Sequence, residues 1–304
     1  MVKAWTFDEL YGANVPFLNA LQERGQVFVG EVPPTFYGWL RKPKVVPPRR
    51  PGRRKKGSQH RGSRSIGTGK SRRWRKVSHA GSQVRNLTKH SPVFQKQSWQ
   101  KYRIKDTRKG PEVWEIKWAV FFRKDERGLP GRRQTLILAR HVLTGEIKYF
   151  VANRVPGEKG ISLRWLLRVA FGRWSVEAIF REAKEELGLD HYEVRGWRCV
   201  HRHFFLTQLS HLFCARVRQE LDQGRDAEDG LRLSLEQVRS AMNTWLGSTD
   251  LKPAAKKDRY QQELKKQQYH QHRNQQAHRS HTKTRKKRLA ELGINPDVIK
   301  SCRC

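Results

Sequence analysis

The hydrophobic positions of the chain follow two different periods. Residues 113–124, 133–142 and 146–153 are rich in β-branched and aromatic side chains and are separated by short glycine-containing turns, so we predict three antiparallel strands. From Ser162 onward, apolar residues recur every three or four positions through long segments, which predicts helices. The middle of the chain therefore changes from a β region to a helical region.

The first forty residues contain both periods in turn. Residues 2–7 predict a short strand, residues 15–25 predict a helix that ends at Gly25, and residues 26–32 predict a second strand. A strand, a helix and a strand in succession are typical of an α/β core.

Positive charge changes this picture, because it is far larger than solubility requires. The chain has 64 Lys and Arg residues against 28 Asp and Glu residues, which gives a formal net charge of +36. Such an excess favours a polyanionic partner, and nucleic acid is the default candidate. The hydrophobic share of 36% is low for a globular protein, so part of the chain is expected to stay solvated.

One concentration of charge is the segment of residues 41–105, which contains no acidic residue. Its many proline, glycine, serine and basic residues bury too little apolar surface to offset the chain entropy, so we predict a flexible basic loop. We expect this loop to contact DNA, and the candidate contacts are Arg53, Arg54, Lys55, Lys56, Arg72, Arg73 and Trp74. The alternative is a solvated linker whose charge only aids solubility.

A second concentration of charge is the tail, residues 252–288. This segment is polar and has few apolar anchors, which indicates a helix without a strong core face. Contact with phosphate groups is the expected use of its charge.

The sequence gives little support for a membrane protein or a zinc site. It has no run of about 18 apolar residues, and its first residues lack the apolar segment of a signal peptide, so we expect a cytoplasmic, nucleoid-associated protein without membrane contacts. The four cysteines lack the partner set of a zinc site. The histidine cluster matches no zinc spacing either and is expected to pack or to face DNA: His191, His201, His203 and His211.

Glu177 lies on a predicted helix whose polar face has a distinct pattern. At about 100° per residue, the expected buried stripe is Val176, Phe180, Ala183 and Leu187. The adjoining stripe consists of Arg173, Glu177, Arg181 and Lys184, whereas the other carboxylates are expected to be solvated: Glu182, Glu185 and Glu186. A carboxylate among cations can hold a divalent metal ion while its neighbours hold phosphate oxygens. The alternative is an ordinary solvated helix face, where such a pair contributes only about 0.2 to 0.5 kcal/mol.

The order Arg173, Glu177, Lys184 resembles a known motif. Together with the following ELGLDHYEVRGWRCVHRHFFLTQLSHLFCARVR, it resembles the segment around the catalytic glutamate of insertion-sequence DDE transposases, enzymes with a ribonuclease H-like core and an inserted β-subdomain. The similarity extends upstream through residues 137–174. The N-terminal WTFDELYGANVPFLNALQERGQVFVGEVP resembles the segment of the second catalytic aspartate in these enzymes.

The resemblance implies a chemistry and its residues. Asp8 corresponds to the second acidic ligand and Glu177 to the third, while Arg173 and Lys184 correspond to basic residues that contact DNA near the cleavage site. The complete enzymes nick DNA and join its 3′-hydroxyl to a target with two Mg²⁺ (or Mn²⁺) ions held by carboxylates. The implied partners are double-stranded DNA and a second copy of the chain in a synaptic homodimer, with no small-molecule substrate.

The main departure from the family is the first catalytic aspartate. In these enzymes it lies on the first core strand, well upstream of the second, and this chain begins seven residues before Asp8. We therefore expect an N-terminally truncated transposase that binds metal weakly and is inactive alone. Two alternatives stay open: a catalytically inactive remnant that only binds DNA, and a basic RNA-binding protein, which charge alone suggests.

The expected fold class is α/β, with a ribonuclease H-like core that is incomplete at the N-terminus, an inserted antiparallel β-subdomain and a basic helical tail. The expected segments are 1–40 (partial core carrying Asp8), 41–105 (flexible basic loop), 106–160 (inserted β-subdomain, separate from the core sheet), 161–250 (helical return of the core) and 251–304 (basic tail). In this arrangement Asp8 and Glu177 converge across a cleft.

The two basic segments generate the first prediction. If their side chains contact phosphate groups, affinity for duplex DNA should fall steeply with salt, because each neutralised phosphate releases condensed counterions. Deleting residues 41–76 should reduce the slope of log affinity against log salt concentration, measured by fluorescence anisotropy. A slope that the deletion leaves unchanged would assign this segment to solubility.

Overall fold

The computed structural model describes residues 3–46, 76–107, 109–158, 160–222 and 233–302. The strands in these ranges are β1 (Trp5–Phe7), β2 (Phe28–Val32), β3 (Tyr37–Trp39), β4 (Val45–Val46), β5 (Lys76–Val77), β6 (Ser82–Gln83), β7 (Gln100–Thr107), β8 (Gly110–Lys124), β9 (Pro130–His141) and β10 (Ile147–Ala152). The helices are α1 (Glu9–Gly12), α2 (Val15–Glu23), α3 (Val84–His90), α4 (Pro92–Gln95), α5 (Leu163–Gly172), α6 (Trp174–Leu187), α7 (Trp197–Asp222), α8 (Leu235–Leu246) and α9 (Pro253–Glu291).

The chain divides into two compact units. The first comprises Met1–Ile104, Val113–Phe171 and Lys300–Cys304, and the second comprises Lys105–Glu112 and Gly172–Ile299. We call them the sheet unit and the helical unit.

The sheet unit is a mixed α/β fold on an eight-stranded, mostly antiparallel sheet. Its strands run in the order β1-β2-β10-β9-β8-β3-β6, and β7 pairs with β8. β1 and β2 are parallel and are connected through α1 and α2, which confirms the predicted β-α-β order. Asn14 caps the start of α2 by accepting a hydrogen bond from the Phe17 amide, and Gly25 takes a φ of 68° just beyond its end.

Two apolar cores lie on opposite faces of this sheet, because successive side chains of a strand point to opposite faces. In β9, Leu136 and Leu138 join one core together with side chains of α2 and α4. Ile137 and Ala139 join the other core together with side chains of α5. Both faces are therefore covered, which explains why β9 is an almost continuous apolar run.

The three central strands belong to this sheet and do not form a separate subdomain. β8, β9 and β10 pair antiparallel, as predicted, but β10 also pairs with β2 and places Val151 opposite Gly30. All five residues of β2 are buried, so both edges of this strand need a hydrogen-bonded neighbour. The prediction of an inserted β-subdomain outside the core sheet is therefore wrong.

Two glycines allow close packing around β2. A Cβ atom on Gly30 would lie 1.9 Å from Cε2 of Phe7, and one on Gly12 would lie 1.8 Å from the carbonyl oxygen of Glu31. A side chain at Gly30 would clash with the Phe7 ring, and one at Gly12 would push α1 away from β2, as expected where two backbone segments approach closely.

Residues 76–105 are folded, so the prediction of a flexible loop is wrong for that part of the basic segment. Phe94 of α4 is 1% exposed in the first core. The ring of Trp99 lies 4.7 Å from the Lys117 ammonium group and 4.3 Å from the Arg140 guanidinium group. A few large apolar residues anchor this stretch, although its overall composition is that of a solvated segment.

The predicted DNA contacts of the basic segment lie outside the described residues: Arg53, Arg54, Lys55, Lys56, Arg72, Arg73 and Trp74. The strands that flank them, β4 and β5, pair with each other and place Val46 opposite Lys76. A deletion that tests the charge of this segment is therefore best confined to residues 47–75, because a short turn in their place preserves the strand pair.

The helical unit has a small core. Its helices α6, α7 and α8 meet around Cys214, Leu235 and Val238. Local signals set the helix boundaries: Gly188 has a φ of 66° after the end of α6, and Ser234 forms a capping box with Gln237 at the start of α8. The helical character predicted from Ser162 onward is confirmed.

The basic tail forms α9, a helix of 39 residues that packs through polar side chains. From Glu263 onward, its partly buried positions recur every three or four residues: Glu263, Gln267, Gln271, Gln275, His278, Thr282 and Arg285. Burial opposes the charge of Glu263, but hydrogen bonds from Gln267 and Ser240 outweigh burial and lower the pKa of this carboxyl group. None of the helices in the described ranges carries an apolar stretch of the length that crossing a membrane requires.

Arg123 is a buried cation between the sheet and α2, and its relative exposure is 1%. It lies at an irregularity of β8 and donates hydrogen bonds to Asn19 and Gln22. Its Nε and Nη1 atoms have no hydrogen-bond partner among the described residues. Burial lowers the pKa of Arg123 to about 10, against the opposing effect of the Asp125 and Glu126 carboxylates.

Replacing Arg123 with methionine should raise the free energy of unfolding at neutral pH by about 1 to 3 kcal/mol, because an apolar side chain of similar length removes an incompletely paired buried charge. Because the folded pKa of about 10 lies below the pKa of Arg123 in the unfolded chain, the charged side chain destabilises the fold below pH 10, and the penalty is relieved as the pH rises above this value. The advantage of Arg123→Met should therefore shrink above pH 10. Urea unfolding measures this difference in the free energy of unfolding. Arg133→Met, at an exposed position of β9, is the control. A variant less stable than this control contradicts the prediction.

Candidate functional site

The polar stripe of α6 is exposed and carries three cations around one carboxylate. Arg173 precedes the first residue of α6, and its Nη1 atom lies 2.6 Å from Oε1 of Glu177, one turn further on. The Glu177 side chain is 48% exposed, and Arg181 and Lys184 are exposed as well. The predicted stripe therefore exists as a continuous surface, with the charge of Glu177 paired to Arg173.

An aromatic side chain borders the start of this stripe. The Lys105 ammonium group lies 5.2 Å from the ring centre of Trp174, and the Arg173 guanidinium group lies 5.8 Å from it. Both distances are within the range of cation–π attraction. The sequence pattern alone did not single out Lys105, because it lies far from α6 in the chain and only folding places it there.

The apolar side of α6 is only half buried, contrary to the prediction. Ala183 is buried and Leu187 packs against the core of the helical unit, but Val176 and Phe180 are 51% and 47% exposed. A fully buried stripe would require α6 to pack along its whole length, whereas the core it joins lies at its C-terminal end. Glu177 therefore lies on an exposed half of the helix beside an uncovered apolar surface.

Asp8, the other predicted carboxylate, has a structural role at the end of β1. It precedes α1 and accepts a hydrogen bond from the amide of Tyr11 at 3.3 Å, as an N-cap residue does. One hydrogen bond leaves further lone pairs of this carboxylate available. Asp8 belongs to the sheet unit and Glu177 to the helical unit, so their convergence stays a prediction.

A metal site was also predicted at these carboxylates. The described part of the chain contains no group of three or more His, Cys, Asp or Glu side chains arranged to hold a metal ion. One oxygen of Glu177 is engaged by Arg173, and the helical unit supplies no second carboxylate from the predicted set. Within either unit, the described residues do not assemble the ligand set of a two-metal site, so we derive no catalytic step through Mg²⁺ or Mn²⁺.

The other acidic residues of α6 have partners in the helical unit. The Glu186 carboxylate lies 3.1 Å from Nε of Arg239, and the Glu182 carboxylate lies 3.8 Å from Nη1 of Arg218. The expectation of solvated side chains is therefore wrong for Glu182 and Glu186, whereas Glu185 is exposed as expected.

The histidine cluster is largely structural. Nε2 of His203 lies 2.8 Å from the carbonyl oxygen of Gly188, so α7 is tied to the end of α6. His211 is nearly buried, with Nε2 at 3.7 Å from the Glu182 carboxylate. His201 is exposed and lies against the Trp197 ring, with the ring centres 4.0 Å apart.

α9 supplies a second basic surface to the helical unit. Nη1 of Arg285 lies 3.3 Å from Oγ1 of Thr107 and from the carbonyl oxygen of Gly110, which holds α9 to the turn between β7 and β8. The remaining cations include exposed side chains along much of the helix: Lys257, Lys265, Lys266, Arg279, Lys283, Lys287 and Arg288. Their spacing along a rigid helix suits repeated contact with a phosphate backbone.

Comparison of the sequence with protein-family models finds no match. A search of curated proteins finds no significant match either.

The Arg173–Glu177 pair generates a prediction about DNA binding. Glu177→Gln should strengthen binding to duplex DNA, because it removes the charge that neutralises Arg173. Arg181→Ala and Lys184→Ala should each weaken binding and reduce the salt slope by about 0.9, the value for one phosphate contact. Fluorescence anisotropy on a short duplex measures all three, and Arg127→Ala, at the exposed turn between β8 and β9, controls for the general loss of one charge. If Arg181→Ala and Lys184→Ala weaken DNA binding no more than Arg127→Ala does, the stripe does not contact DNA.

Proposed function

We propose that this chain is a DNA-binding protein of the insertion-sequence DDE transposase type, which does not cleave or join DNA by itself. The observation that carries the proposal is the exposed stripe of α6, in which Glu177 stands between Arg173, Arg181 and Lys184 in the order that resembles the catalytic-glutamate segment of these enzymes. The fold supports it at a coarser level, because the sheet unit is of the mixed α/β class.

Charge supports double-stranded DNA as the partner. A chain of net charge +36 attracts any polyanion at long range, and the exposed cations of α6 and α9 belong to helices that hold them in fixed positions. Phosphate contacts fix the position of a protein on DNA but carry no sequence information. We therefore propose that the chain binds the DNA backbone. Recognition of insertion-sequence ends is the more specific form of this proposal.

The Arg173–Glu177 pair suggests how DNA would change the site. A phosphate that approaches Arg173 competes with the Glu177 carboxylate for the same guanidinium group. Bidentate binding of phosphate is a favoured arrangement for arginine, so the pair opens as DNA binds. The Glu177 carboxylate is then left without its Arg173 partner beside the DNA backbone.

The proposed lack of activity follows from the acidic residues. Phosphoryl transfer by these enzymes depends on carboxylates that hold two metal ions, and each such group contributes a large part of the rate. In this chain the resemblance supplies Asp8 and Glu177 as its two matched carboxylates, and each has a structural partner, the Tyr11 amide and the Arg173 guanidinium group.

A cleavage assay tests the proposal. The purified chain should shift supercoiled DNA in a gel but leave it supercoiled in the presence of Mg²⁺ or Mn²⁺, because its two matched carboxylates, Asp8 and Glu177, are engaged by the Tyr11 amide and the Arg173 guanidinium group. Glu177→Gln is the matched control. Metal-dependent nicking by the chain that this control lacks would show that another carboxylate completes the site. Equal or tighter binding to duplex RNA than to duplex DNA would instead favour the basic RNA-binding alternative.

A further inference from the structure

The helical unit carries an apolar surface that its own core does not cover. On α7, Phe205 is 74% exposed, Leu209 63%, Leu212 51% and Phe213 50%. Their spacing places them on one side of the helix, and the buried residues lie on the other side: Thr207, His211 and Cys214. Proteins that act as monomers rarely expose a contiguous apolar surface of this kind, which usually marks a contact site. We call it the α7 stripe.

A groove of about 890 Å³ adjoins the α7 stripe, between α7, α8 and the end of α6. Its apolar lining includes Leu209 and Phe213 from the stripe and Leu246 from α8. Its charged lining has more carboxylates than cations, since Glu185 and Glu186 face a single arginine, which is paired with Glu186. In a chain of net charge +36, this groove is unsuited to a polyanion and suited to an apolar, cationic partner.

The N-terminal end of the same helix has that character. Trp197, the first residue of α7, is 75% exposed, and Arg195, Arg198 and Arg202 beside it are exposed as well. α7 thus presents a cationic aromatic end, and the groove beside its middle is apolar and carries the carboxylates. Such a surface is complementary to itself when two copies meet about a twofold axis, because every contact is then made twice.

We propose that the helical unit binds a second copy of this chain through the α7 stripe, with the cationic end of each α7 directed at the groove of the other copy. In this arrangement Arg202 of each copy approaches Glu185 of the other. Arg216 lies on the same side of α7. If the α7 helices of two copies lay side by side along their whole length, Arg216 would repel an arginine of the other copy. The second helix therefore crosses α7 toward α8 and the groove. The proposal does not rest on the proposed DNA chemistry, since it uses the groove and stripe alone.

Sedimentation velocity of the nuclease-treated full chain at micromolar concentration tests the surface. The wild-type chain should sediment as a dimer of the 35.8 kDa chain. Leu209→Asp with Phe213→Asp should sediment as a monomer, because two charges would be buried without partners. Leu264→Asp with Tyr269→Asp is the matched control, since both residues are 58% exposed on α9. Circular dichroism should show the same helix content for all three proteins.

Charge reversal tests the proposed direction of the two helices. Arg202→Glu and Glu185→Arg should each weaken the dimer at least about tenfold near physiological salt, because each places like charges together twice. Combining the two changes in one chain should restore the dimer. A monomeric wild-type chain, a dimer that survives the aspartate substitutions, or a double charge reversal that stays monomeric would each overturn the proposal. DNA binding is measured separately, so its loss or persistence does not decide this test.

Discussion

The antiparallel pairing of β2 with β10 is the constraint on which the sheet unit depends. It joins segments more than a hundred residues apart in the chain, and the Glu31 and Lys148 side chains reinforce it through an ion pair of 2.8 Å. At one end Asn153 accepts a hydrogen bond from the amide of Phe28 and donates one to the carbonyl oxygen of Gln26. Without this pairing, β1 and β2 would be a two-stranded fragment and β8 to β10 a separate meander, and neither could bury both faces.

The sequence predicted the elements of the fold much better than their assembly. Local patterns located β1, α2, β2, the three central strands and the helices after Ser162, because turn residues and hydrophobic period act within a few positions. The pairing of β10 with β2 is a long-range contact, so the central strands could be mistaken for an independent subdomain. Composition also failed for residues 76–105, since a few residues such as Phe94 and Trp99 fix the path of a segment that is polar on average.

The sequence was enough to predict which residues of the candidate site share one face of α6, but less so how far the neighbouring apolar residues are buried. Helical geometry placed Arg173, Glu177 and Lys184 on one stripe, and that stripe is present. The same geometry could not tell that only the end of α6 meets a core, so Val176 and Phe180 were assigned to the interior. Periodicity identifies which residues share a face of a helix, but only the tertiary structure decides whether that face is covered.

The two surfaces of the helical unit differ in the partner that each can accept. The α6 stripe and α9 expose guanidinium and ammonium groups, which displace the counterions condensed on a polyanion, and this release favours binding. The groove beside α7 combines apolar side chains with Glu185, so an approaching phosphate backbone would meet repulsion and lose hydration without compensation. A second copy of the chain brings the opposite properties to this groove, because the Trp197 end of α7 is apolar and cationic. Binding of DNA and binding of a second copy therefore need not compete, and a dimer would present two sets of cations to one duplex, which raises the effective concentration for the second contact.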